Sequence, residues 1–220
     1  MKRLYFAARA PVAGQVKTRL GAAIGMREAA TLYEGFLRDL VARFTSVPYE
    51  IAWYVTPDSW PLLRPLASRA DAVRVQRGRG WSARQANLFR DCDSGGERRV
   101  VLVATDSPQL RRARVEEAFA ALESNDVVFG PTIDGGYYLV GMQRFHDIFA
   151  GATMSKASTL ADMMAQAVEQ RLSVHLLEPE FDVDIEQDLD LLEQEIGRRQ
   201  DLRWSALALN LIRGSGVRVA

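Results

Sequence analysis

Cysteine is almost missing from this chain: Cys92 is the only one in 220 residues. That excludes an intrachain disulfide and any cysteine-built zinc cluster, and makes a reducing cytoplasm the expected location. Histidine is nearly as scarce, and neither His146 nor His175 has the Ser or Cys setting of a nucleophilic triad. Net charge is absent too. Lys+Arg and Asp+Glu are both 28, so no global basic field exists to hold a nucleic acid by counterion release. No apolar run is long enough to span a bilayer, and the N-terminal one is too short for a signal peptide, so a membrane is not an expected partner. Among the cations, all but Lys2, Lys17 and Lys156 are arginines, which makes each lysine conspicuous.

What is present suffices for one sizeable soluble domain, with 48% hydrophobic and 25% charged residues. Short β-rich runs alternate with helical patterns. Strands are predicted at RLYFAA, YEIAWYV, AVRVQ, RRVVLVAT, DVVFGP, YYLVGM and SVHLL. Between them, helices are predicted over 26–44, 60–68, 82–89, from Ser107-Pro108 onward, 158–170 and 186–196. This alternation predicts an α/β fold, a three-layer α/β/α sandwich around a mostly parallel sheet, with ligands at the carboxyl ends of the strands. Residues 1–197 read as that domain. Residues 198–220 read as a C-terminal helical extension packed on the domain or on a second subunit of a homodimer.

Three stretches at strand ends could carry chemistry. In AARAPVAGQVKTRLG a loop with Gly14 leads to Lys17 and Arg19, which project together if the segment is extended. Taken alone this is a solvated basic loop; after the first strand, paired cations suit a di- or triphosphate. It is not a Walker loop, because Val16 stands where glycine must precede the lysine. In VVLVATDSPQL, Ser107 can cap the next helix, which leaves Asp106 available at a strand terminus to hold a divalent cation. In FDVDIEQDLDLL, Asp182 and Asp184 share a face of an extended chain, although Asp184 and Gln187 also resemble a capping box. If Asp106 and Asp184 meet about 4 Å apart, they repel by roughly 4 kcal/mol at an effective dielectric near 20, and a Mg2+ or Mn2+ ion would remove that penalty. The stretch GPTIDGGYYLVG raises a separate question. Its Asp134-Gly135 pair is ordinary hairpin chemistry, yet Asp134 could also stand at the rim of a site. A formal G-x-G-x-x-A match at GRGWSA is weak, since it follows the third strand and Trp81 is bulky for a pyrophosphate turn.

Together FAARAPVAGQVKTRLG, ATDSP, GPTIDGGYYLVG and FDVDIEQDL resemble, in this order, the hallmarks of the DUF2064 group of bacterial proteins, over about residues 4–192. Members of that group are assigned as glycosyltransferases of the GT-A, nucleotide-diphospho-sugar transferase fold, some associated with arsenosugar biosynthesis. A more distant similarity joins them to cytidylyl- and guanylyltransferases. The resemblance implies that Lys17 and Arg19 bind nucleotide phosphates in a loop that includes Gly14, and that Ala7, Ala8 and Arg9 approach the base. It implies Asp106 as the single acid equivalent to a metal-binding DxD motif and Asp184 as the second metal ligand, for Mg2+ or Mn2+. Asp134, Gly135 and Gly136 would line the acceptor side, with Lys17 and Asp134 as the catalytic candidates. The segment GRGWSARQ departs from the family form and retains Arg84 as its nucleotide-binding candidate.

The expected function is a metal-dependent transferase that moves a sugar from a nucleotide-diphospho-sugar to a small acceptor. The alternative is a nucleotidyltransferase that joins an NTP to a phosphate or carboxylate acceptor and releases pyrophosphate. A third reading is a nucleotide-binding protein without turnover.

Overall fold

The structure, a computed structural model, describes residues 1–68, 71–154 and 156–214. It opens with β1 (Arg3–Ala8), α1 (Thr18–Ile24), α2 (Met26–Arg43), β2 (Glu50–Val55), α3 (Trp60–Leu63) and β3 (Ala72–Val75). Next come α4 (Gly80–Ser94), β4 (Val100–Ala104), α5 (Arg112–Ala121), β5 (Val127–Pro131) and β6 (Tyr137–Met142). The chain closes with α6 (Thr159–Glu169), β7 (Val174–Leu176), α7 (Asp188–Arg198) and α8 (Arg203–Gly214).

The seven strands form one sheet in the order β3-β2-β1-β4-β6-β5-β7. Only β6 runs against its neighbours, pairing antiparallel with β4 and β5, so the predicted mostly parallel α/β sandwich is what forms. The continuous apolar run VVLVA becomes β4, inside the sheet between β1 and β6, as expected of a strand covered on both faces. Alternation then divides the core. Leu4, Phe6, Val101 and Val103 pack with Leu32, Phe36 and Leu40 of α2 on one face. Tyr5, Leu102 and Val140 pack with Leu88 and Phe89 of α4 and Met163 of α6 on the other. Each such fully buried side chain stabilises by about 2 kcal/mol.

Topology positions the site. From β1 the chain steps outward through β2 and β3, then returns to place β4 on the opposite side of β1. The two loops leaving β1 and β4 therefore part from one another, and a crevice opens above the carboxyl ends of these strands.

Several local expectations differ from the structure. The segment around Lys17 is not extended: Lys17 is left-handed (φ 48°, ψ 42°) and α1, which the sequence did not announce, starts at Thr18. Ser107-Pro108 does not begin a helix. It sits in a turn closed by Leu110 N–H donating to Ser107 O (3.1 Å), and α5 starts at Arg112. The Asp184–Gln187 capping box does not form either. Asp188 Oδ2 accepts the N–H groups of Asp184 and Ile185 (2.8 Å each), which leaves the Asp184 carboxylate free of capping duty.

In the C-terminal segment, α8 lies on α2. Asp39 of α2 accepts from Trp204 N (2.8 Å), Ser205 N (2.8 Å) and Ser205 Oγ (2.5 Å), satisfying N–H groups that the first turn of a helix leaves unpaired. Gly35 permits this approach, since a Cβ there would stand 2.9 Å from Trp204 O. The last six residues of the expected extension lie outside the described residues.

Candidate active site

A cleft of about 620 Å3 opens where the topology predicts, at the carboxyl ends of β1 and β4. One wall is the loop from Arg9 to Lys17. Arg9 donates to Gln15 O (3.0 Å), fastening the loop on itself. Beneath it, the Tyr33 hydroxyl shares a 2.7 Å hydrogen bond with Thr105 Oγ1, which donates to Ala7 O (2.8 Å). That chain ties the end of β1 to the end of β4.

The floor is an ion network. Lys17 Nζ lies 2.5 Å from Asp106 Oδ1 and 2.8 Å from Asp184 Oδ1, and Arg19 pairs with the other oxygen of Asp184. Burial works against the Lys17 charge, but Asp106 and Asp184 outweigh it and its pKa is pushed up to about 12. Asp184 is likewise desolvated, yet Lys17 and Arg19 hold it below its ordinary range. The members of the network differ in access to the cleft. The Lys17 side chain is 4% exposed, with the Tyr33 and Phe36 rings behind it, whereas Asp106 is 40% and Arg19 67% exposed.

The opposite wall is the β5–β6 turn. Asp134 Oδ1 accepts from Thr132 Oγ1 (2.5 Å) and Gly136 N (3.0 Å), so Asp134 builds the turn and also faces the cleft. Gly135 has φ +91° and packs against Ala157, where a Cβ would come within 2.1 Å of Ala157 O.

Of the sequence candidates, the structure brings Ala7, Ala8, Arg9, Lys17, Arg19 and Arg84 to the cleft, together with Asp106, Asp134, Gly136 and Asp184. Gly14 and Gly135 do not line it. Arg84 on α4 bonds Gln76 Oε1 (3.2 Å) and Gly78 O at the far end. Sequence reasoning missed Tyr33, Gln76, Trp81, Tyr137 and Lys156, which also line the cleft. Tyr33 and Tyr137 fall within a predicted helix and a predicted strand, and only the tertiary structure brings them to the cleft. Asp182, to which the sequence assigns no role, also lines the cleft, and its spacing from Asp184 is the signal for it. Burial first, then Asp184 and Asp134, push the Asp182 carboxyl up to about 6.

No group of three or more His, Cys, Asp or Glu side chains is arranged for a metal among the described residues. The donor chemistry still suits one hard cation. Asp106 and Asp184 converge on a single ammonium at the cleft floor, and Mg2+ is ordinarily held by one or two carboxylates with phosphates and water completing the shell.

Fold and cleft together define a nucleotide-diphospho-sugar-transferase-type α/β architecture, with charged groups gathered over its switch point. The chain belongs to the DUF2064 family: the profile of that family, described as "Uncharacterized protein conserved in bacteria (DUF2064)", matches residues 40–156. The crystal structure of a "putative nucleotide-diphospho-sugar transferase" from Desulfovibrio desulfuricans G20 is 27% identical, with a TM-score of 0.86 over 97% of this chain and 98% of that one. A cytidylyltransferase from Leptospira borgpetersenii (10% identity, TM-score 0.57, 98% and 94% covered) shares the fold. So does 4-diphosphocytidyl-2C-methyl-D-erythritol synthase from Anaerococcus prevotii (11%, 0.58, 89% and 96%). No curated protein matches the sequence. No helix among the described residues is long and apolar enough to cross a membrane.

Proposed function

We propose that this protein is a metal-dependent transferase with a nucleotide-linked donor, moving a sugar from a nucleotide-diphospho-sugar to a small acceptor. The reading rests on one observation: Asp106, Asp184 and the Lys17/Arg19 pair, from three stretches distant in sequence, meet on the floor of the cleft at the switch point. Residues 1–197 are the catalytic domain in this reading, and α8 is an extension clasped to α2.

In this arrangement the base lies toward Ala8, Gln76 and Arg84, and the diphosphate lies over the floor. Arg19, the most exposed cation of the network, donates to phosphate oxygens in the fork geometry that guanidinium provides. Asp106 and Asp184 would hold Mg2+ or Mn2+, which supplies charge neutralisation at the leaving nucleoside diphosphate when bound. Preorganised positive charge at the point where negative charge develops is the main electrostatic task of such a site. The acceptor lies against Asp134 and Gly136. With Oδ1 of Asp134 committed to the turn, Oδ2 is the oxygen left to orient an acceptor hydroxyl.

A second reading, nucleotidyl transfer with release of pyrophosphate, is supported by the cytidylyltransferases that share the fold. A thermal-shift panel of nucleotides and sugar nucleotides, with and without Mg2+ or Mn2+, tests both readings. A ligand at about 100 times its Kd stabilises by roughly 2.7 kcal/mol and is visible as a raised Tm. Products then divide the readings, since glycosyl transfer frees a nucleoside diphosphate and nucleotidyl transfer frees pyrophosphate. Ligand binding without either product leaves a nucleotide-binding protein, the absence of any metal-dependent shift sinks the metal-dependent readings, and the absence of any ligand-induced shift sinks all three.

A further inference from the structure

We infer that Lys17 is a positioning residue, a buried counter-ion that holds Asp106 and Asp184 together and keeps their affinity for a free divalent cation low, rather than a ligand of the nucleotide phosphates. The inference rests on the transferase reading only for what the acid pair is used for; the geometry stands apart from it.

Access separates the two basic residues of the loop. The Lys17 side chain is 4% exposed, covered by Tyr33 and Phe36 on one side, with ring centroids 5.9 and 6.0 Å from Nζ. On the other side stand the two carboxylates, at 2.5 and 2.8 Å. An ammonium has three donors, and here two of them are spent on acids while the aromatic faces seal the rest of the group. A phosphate could reach Nζ only by displacing one of these acids. Arg19, 67% exposed, has no such cover.

The left-handed backbone of Lys17 supports the same reading. A non-glycine residue at φ 48° is strained and persists only where its surroundings over-determine it. The backbone turn puts this side chain under the acids, while α1 begins at the next residue and leaves Arg19 exposed at the cleft. Lys17 thereby supplies from within the protein the positive charge that two adjacent carboxylates require. A divalent cation arriving alone meets a pair whose charge Lys17 halves and Arg19, paired with Asp184, offsets further, and it binds well only when phosphate oxygens accompany it and draw Arg19 to themselves. The metal and the nucleotide would then load together.

The test uses the full-length protein, Mn2+ and inorganic pyrophosphate as separate probes, measured by calorimetry and Mn2+ paramagnetic resonance. Lys17→Gln removes the charge while keeping a polar group between the acids. With one unit charge deleted beside the ion, bare Mn2+ should bind more tightly by on the order of tenfold. Pyrophosphate binding without metal should weaken through space by no more than about tenfold in Lys17→Gln and be lost in Arg19→Gln, and Lys17→Arg should restore weak Mn2+ binding. Unchanged or weaker Mn2+ binding in Lys17→Gln, or a loss of pyrophosphate equal to that of Arg19→Gln, overturns the proposal. If Lys17→Gln does not fold, reductive methylation of the wild type decides, because besides the α-amino group only Lys2, Lys17 and Lys156 can react. Lys17 protected to the same degree with and without pyrophosphate supports the counter-ion role; Lys17 reactive in the free protein and shielded by pyrophosphate overturns it. A protein that passes this test and binds no nucleotide keeps the proposal and loses the transferase reading.

Discussion

Two charged clusters flank the same sheet, and their difference shows what separates a structural ion network from a working one. At the amino end, Glu97 receives Tyr5 Oη (3.0 Å), Arg74 Nη2 (2.6 Å) and Arg3 Nη1 (2.7 Å), and its side chain is only 7% exposed. Burial opposes the Glu97 charge, but Arg74, Tyr5 and Arg3 hold its carboxyl below the ordinary range. Both Glu97 oxygens have partners, and the cleft that Asp106 and Asp184 line does not include them. At the carboxyl end, Asp106 and Asp184 share one buried lysine yet stay 40% and 30% exposed to a cleft. The first cluster is closed, so its energy goes into the fold. The second is open on one side, and that side is where a ligand's charge can be met.

The sharpest way to break this contrast is to neutralise one acid in each cluster. Asp184→Asn should lower kcat/KM by on the order of a hundredfold or more, with little change in the urea midpoint, because it removes transition-state electrostatics from a partly solvated site. Should Asp184→Asn cost mainly stability and leave turnover intact, the carboxyl-end cluster is structural after all.

Glu97→Ala should do the reverse. Removing one member of a buried network strands the others, a loss of about 3 kcal/mol in stability, with nucleotide-induced thermal shifts preserved. The pH dependence follows in sign. Because the folded-state pKa of Glu97 is depressed, its stabilisation is present above the unfolded carboxylate pKa and is lost as pH falls through that value toward the folded one. Urea midpoints of the wild type from pH 7 down to 3 should therefore fall more steeply than those of Glu97→Gln. Parallel acid limbs would show that the cluster is not linked to folding in this way.

The smallest effect belongs to the rim. Gly135→Ala forces a side chain onto φ +91° and toward Ala157 O, and should cost about 1–3 kcal/mol. It should also raise KM for the acceptor more than for the donor, since Asp134 is fixed by this turn and lies on the opposite wall from Arg19. A change in donor KM alone would place the acceptor elsewhere in the cleft.

Much of this was legible beforehand, for reasons that differ by element. Strand β4 announced itself because five consecutive apolar residues, four of them fully buried, fit only a strand covered on both faces. Helix α2 was equally clear, its Leu32, Phe36 and Leu40 spaced for one buried face. Misread elements were short or governed by distant partners. Helix α1 has seven residues and begins at a left-handed lysine, a conformation local preference does not predict. The Ser107-Pro108 pair carries a strong capping signal, but the turn it makes delays α5 to Arg112. At Asp184 the capping pattern pointed to Gln187, and a carboxylate four residues on, Asp188, took that task instead.

The order of polar and apolar residues along the chain was enough by itself to dictate a layered α/β domain with acids and bases at strand ends, because periodicity and turn chemistry act over a few residues. Which charges face one another was decided only by the tertiary structure. Lys17 and Asp184 are 167 positions apart, and their encounter, the sealing of the lysine and the exposure of Arg19 all depend on where the sheet reverses its direction of growth. Electrostatics acts through space and burial, and neither is written in spacing along the chain.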